Sequence, residues 1–168
     1  MKKIISITLV ISMIVILCAC DTSKNQNASI QVTKQEWTNE DVFISSKDSK
    51  ITPISGIISK TTTQSDDTEI VFDGTGVSNE IAKLKTNSNF EIPTIQLSEN
   101  LEIQIGSNSE LNSIRYINPS ASWDINNSSL DEIASLDSGE YYVIINITTI
   151  TSTIKAKSEF LFKLSVTQ

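Results

Sequence analysis

Two runs near the end of the chain alternate apolar and polar residues. Tyr141, Val143, Ile145 and Ile147 occupy every second position of the first, and Phe160, Phe162, Leu164 and Val166 of the second. A period of two places each set on one face of a β-strand. The polar segment at 151–157 joins them as a C-terminal hairpin. A hairpin with one apolar face is marginal in water, so it needs a second layer to pack against. "LEIQIG" at 101–106 supplies another half-buried strand, with Leu101, Ile103 and Ile105 alternating with Glu102 and Gln104.

Shorter strand signals fill the rest. "VFI" at 42–44 is one. The Ile-rich run at 51–58 contains Pro53 and Gly56, which predicts an edge strand with a bulge. "EIVF" at 69–72 is closed by Asp73-Gly74-Thr75-Gly76, and residues 114–117 are closed by Asn118-Pro119. Residues 81–84 fit a helical turn or a strand. Several short strands with turn signals, rich in β-branched residues, predict an all-β, antiparallel sandwich.

"SSLDEIASLDSG" is the clear helical signal. Ser129 and Glu132 fit a capping box, Leu130, Ile133 and Ala134 form an apolar face, and Gly139 is placed to stop the helix. The stretch that follows, "DSGEYYV" at 137–143, resembles the Asp-x-Gly-x-Tyr-x-Cys pattern of immunoglobulin-type domains. Asp137, Gly139 and Tyr141 match, and Val143 stands in place of the cysteine. The resemblance implies an Ig-like β-sandwich with one short helical turn before the penultimate strand. It also implies that Tyr141 forms a structural tyrosine corner, its hydroxyl bonded back to the main chain.

The N-terminus reads as an address. Met1-Lys2-Lys3 is a positive start, and residues 4–17 are almost wholly apolar but short of the roughly twenty residues of a spanning helix. Leu17-Cys18-Ala19-Cys20 resembles the lipobox of bacterial lipoproteins. That resemblance implies cleavage before Cys20 and a covalent diacylglycerol on its thiol. It gives a signal peptide at 1–19, a lipidated cysteine and flexible tether at 20–31, and a sandwich domain at 32–168. Buried acyl chains contribute ~0.8 kcal/mol per methylene, enough with two chains for durable anchoring at the extracytoplasmic face of the cell membrane. Cys18 leaves with the signal, so no disulfide or thiolate site remains. The Ile-, Ser-, Thr- and Asn-rich composition suits a low-GC Gram-positive bacterium. The Ile92-Pro93 step and the passage from Gly139-Glu140-Tyr141 to Phe160 and Phe162 are similar to small surface lipoproteins of such bacteria, and to extracytoplasmic tails of membrane-bound metallopeptidase sensors.

The chain has 13 Lys and Arg, 20 Asp and Glu and no His, a formal charge of −7. Loss of Lys2 and Lys3 makes the mature chain more acidic still. Its charges are scattered, which argues against nucleic acid as a partner. Without His there is no Ser-His-Asp triad, no His metal site and no imidazole base. No catalytic residue, metal ligand or cofactor other than the lipid on Cys20 is assigned. Asp66, Asp67, Glu69 and Asp73 have no calcium-loop spacing and read as solvated. Asp73-Gly74-Thr75-Gly76 lacks the paired carboxylates of an aspartic protease.

"YINPSASWD" at 116–124 is the expected recognition loop, with Tyr116 and Trp123 around the turn at Pro119. Trp37 and Tyr142 are further candidates for an exposed aromatic surface. The functional expectation is a membrane-anchored, non-enzymatic interaction module. Its sandwich loops or an unpaired edge strand would engage an envelope protein or extracellular ligand. The alternative is an accessory or sensor subunit regulating an envelope membrane protein. A carboxylate-based hydrolase is the remote third reading.

Overall fold

The computed structural model describes residues 28–37, 40–47, 49–97 and 100–167. Cys20, the signal segment and most of the expected tether lie outside them. The described chain is an all-β sandwich. Its elements in order are β1 (Ser29–Gln35), β2 (Val42–Ser46), β3 (Ser49–Ile51), β4 (Ile54–Thr63), β5 (Glu69–Asp73), α1 (Ser78–Thr86), β6 (Thr94–Gln96), β7 (Asn100–Gly106), β8 (Ser109–Ile117), β9 (Asn126–Ser128), α2 (Leu130–Ala134), β10 (Gly139–Ile150) and β11 (Ile154–Val166).

The smaller sheet has the order β1-β7-β2-β3, with β1 and β7 parallel. The larger has the order β5-β4-β11-β10-β8-β9, and β6 adds in parallel to the C-terminal part of β11. The central hairpin pairs Val143 with Phe162 and Ile145 with Phe160. These face Ile44, Leu101, Ile103 and Ile105 of the smaller sheet across one apolar core. Each such fully buried side chain contributes roughly 1.5–3 kcal/mol.

The larger sheet is also buried on part of its other face. Ile117, Ile144 and Leu161 have the opposite parity to the main core. They pack against Val77, Ile81 and Leu84 at α1, together with Ile92. The segment left open at 81–84 is therefore helical, because Ile81 and Leu84 share the face that covers this second cluster. The approach of α1 is close. A Cβ on Gly56 of β4 would fall 2.1 Å from the carbonyl oxygen of Gly76, which itself has a φ of 59°. Both positions need glycine.

Four expectations are corrected. Ile30 is buried in β1, so the domain reaches back at least to Ser29 and the tether does not extend to residue 31. Pro53 divides 51–58 into β3 and β4. The bulge in β4 is present, as a register shift opposite Lys157 and Ser158, but β4 is not an edge strand because β5 lies outside it. Gly139 does not stop the helix; α2 ends at Ala134 and Gly139 opens β10. The hairpin loop is short, since β11 already begins at Ile154.

Candidate functional site

The expected recognition loop does not gather its aromatics. Tyr116 follows the strand alternation of β8 toward the main core and meets Tyr141 edge-on, 6.0 Å between centroids at 73°. Beyond it the chain turns over the sheet end. The amides of Ala121 and Ser122 donate to the Asn118 carbonyl, and the Ser120 amide to the Asn118 side chain. Pro119 lies within this turn, half-buried. Trp123 comes down on the opposite face and stacks on Tyr142, 5.6 Å apart at 23°, with the Lys85 ammonium 5.8 Å from the indole. So Trp123 and Tyr142 extend the second core, while Tyr116 belongs to the first.

Between the turn, β9 and α2 lies an open cleft of about 530 Å³, floored by Tyr116 and Tyr141. Two carboxyl-bearing residues, Glu132 and Asp137, line it. Glu132 is committed to the capping box: it accepts the Ser129 amide at 2.8 Å and the Ser128 hydroxyl at 3.1 Å. Those bonds, the Ser129 amide first, hold its carboxyl below the ordinary value. Asp137 contributes its main-chain carbonyl, which accepts the Tyr141 hydroxyl at 3.0 Å. Tyr141 thus makes the corner bond expected of it.

Trp37 lies elsewhere, edge-on to Phe43 at 5.4 Å, with Lys50 above the Phe43 ring at 4.1 Å. In the acidic segment, the Asp66 carboxylate accepts the Thr68 amide at 3.1 Å and ends the β4–β5 turn. The Thr68 hydrogen bonding lowers its pKa. No grouping of three metal-ligating side chains occurs among the described residues.

The surface feature that stands out is β5. All five of its residues are exposed, and three are consecutive apolar residues: Ile70 at 52%, Val71 at 63% and Phe72 at 55%. It is the last strand of the larger sheet. The edges differ in kind: β3 and β9 have three residues each, and α2 packs against β1. Among the described residues, that leaves β5 as the longer edge with no further strand beside it.

Its hydrogen-bond polarity follows from its pairing. Ile70 stands opposite Thr62 and Phe72 opposite Lys60. Just outside the ladder, the Gln64 amide donates to Thr68 and the Gly74 amide to Ile58, 2.8 Å each. Antiparallel pairs alternate between bonded and non-bonded, so Ile70 and Phe72 direct their peptide groups to β4. Glu69, Val71 and Asp73 direct theirs outward, as a template for another strand. The sequence marks β5 as a strand through "EIVF". Three consecutive apolar residues read as a strand buried on both faces, and their exposure follows instead from the place of β5 at the end of the sheet.

Comparison with protein-family models, with curated proteins and with solved structures finds no match to this chain. Among the described residues no helix is long and apolar enough to cross a membrane.

Proposed function

We propose that this chain is a lipid-anchored, extracytoplasmic interaction module of Ig-like type that binds an envelope or extracellular protein by strand addition at β5. The observation that carries this reading is the exposure of Ile70, Val71 and Phe72 on a strand whose outer peptide groups pair with no other strand among the described residues. Natural sheets blunt their edges with charge, proline or a covering element; β5 has acidic residues only at its two ends, and the exposed apolar run between them is the part a partner would cover. Strand addition draws affinity from main-chain bonds and specificity from side chains on the two faces. The Tyr141 corner bond supports the Ig-like assignment. The Leu17–Cys20 motif supports the anchor, which would hold the domain at high local concentration near its partner.

The test is site-specific photo-crosslinking in the producing cells. A photoreactive residue replaces Ile70 in the full chain, with a second version at Trp123. The reading expects a recurrent adduct from position 70 that disappears when Val71→Pro is added. Proline there removes an outward amide and leaves the β4 ladder intact. Adducts from position 123 alone would count against the edge and return attention to the loop. Cys20→Ala should move the chain from the membrane pellet to the soluble fraction; unchanged membrane retention would defeat the anchor.

A further inference from the structure

The charge around β5 narrows what can pair with it, and this step rests on the edge-strand reading above. Glu69 and Asp73 bracket the apolar residues, and Asp66 and Asp67 occupy the adjoining turn. Among the described residues, neither Glu69 nor Asp73 is in a salt bridge. Glu69, Val71 and Asp73 share one face of the strand, and Ile70 and Phe72 share the other.

A second copy of the chain is a poor occupant. Antiparallel pairing of two β5 strands about Val71 would set Glu69 directly opposite Asp73 of the copy, twice over. Like charges directly opposite are destabilising. The whole domain is acidic as well, which adds repulsion between copies.

We infer that β5 receives an extended segment of a partner protein in which a three-residue apolar run is flanked on both sides by Lys or Arg. The flanking cations stand opposite Glu69 and Asp73. The middle apolar residue stands opposite Val71, and its two neighbours stand opposite Ile70 and Phe72 on the other face. The alternation of the two faces dictates this order of basic, apolar, apolar, apolar, basic.

The test uses the purified full-length chain and three labelled peptides in fluorescence anisotropy. One carries Lys-Ile-Val-Ile-Lys within a serine-rich frame; the others replace both lysines by Glu or by Gln. The expected order is Lys, then Gln, then Glu, with about tenfold or more between the extremes at low salt. Val71→Pro should abolish all binding without lowering thermal stability. The double variant Glu69→Lys, Asp73→Lys should invert the preference. Equal binding of all three peptides, lost with Val71→Pro, overturns the charge rule and leaves the edge standing. Absence of binding, or binding indifferent to Val71→Pro, overturns both. Sedimentation showing dimers that Val71→Pro dissociates would replace the basic partner by a second copy.

Discussion

The carboxylate of Glu159, on β11, accepts the backbone amide of Val77 at 3.1 Å, across 82 positions of sequence. Its other oxygen is bound by the Arg115 guanidinium from β8. Glu159 thereby ties two strands of the larger sheet to the residue that opens α1. The glycine at position 76 gives the carboxylate room: a Cβ there would lie 2.1 Å from Glu159 Oε2. This one buried acid fixes the helix over the sheet's second face.

Its removal should therefore be costly. Glu159→Ala leaves Arg115 without its partner and the Val77 amide without an acceptor. A loss of about 3 kcal/mol is expected in urea unfolding, the scale for breaking a largely buried pair. Glu159→Gln keeps an acceptor for Val77 and should lose distinctly less. Equal losses for the two would mean that charge, and not the helix tie, is what matters. A loss below about 0.5 kcal/mol for Glu159→Ala would place the residue among ordinary surface positions.

Tyr141 carries a second test. Tyr141→Phe removes only the bond to the Asp137 carbonyl and should cost about 1 kcal/mol. Burial first, then the Asp137 charge and the Tyr116 phenol, raises the Tyr141 pKa above 10.0. The folded state thus favours the neutral phenol. That stability is fully present below pH 10 and is lost as pH rises through the raised folded value. Absorbance titration should show one delayed phenol that Tyr141→Phe eliminates. An identical titration in both proteins would contradict the corner's environment.

The capping box of α2 predicts the opposite pH behaviour. The folded pKa of Glu132 lies below 4.5 because the Ser129 amide, and then the Ser128 hydroxyl, donate to the carboxylate. Its contribution is present above the unfolded value and fades as pH falls through the folded one. Ser129→Ala should cost about 1 kcal/mol at neutral pH. Glu132→Gln should flatten the acid limb of the stability curve. Acid limbs that superimpose for wild type and Glu132→Gln would show that the box does not couple to folding.

Most of the main core was legible because it obeys period two. Leu101, Ile103, Ile105, the odd residues of β10 and the even residues of β11 all lie where alternation puts them. The capping box and corner were legible because their partners are three and four residues apart. Ile117, Ile144 and Leu161 were not, since a period of two reports one face and says nothing of a helix covering the other. Nor was β1: a single buried Ile30 in a polar run looks like tether until β7, 71 positions on, pairs with it. The parting of the loop's two aromatics was not legible either. Tyr116 and Trp123 flank one turn in sequence, yet the turn carries them to opposite faces. The edge character of β5 depends on the order of strands, which no local pattern contains.

Residue-resolved amide exchange by NMR, on the full chain with and without the Lys-flanked peptide, tests the central claim most directly. In the free protein, the Val71 and Asp73 amides should exchange at least about tenfold faster than those of Ile70 and Phe72, which bond to β4. With the peptide bound, Val71 and Asp73 should become protected while residues 116–124 stay unchanged. Protection confined to 116–124, or alternation absent from β5 in the free protein, would contradict the account.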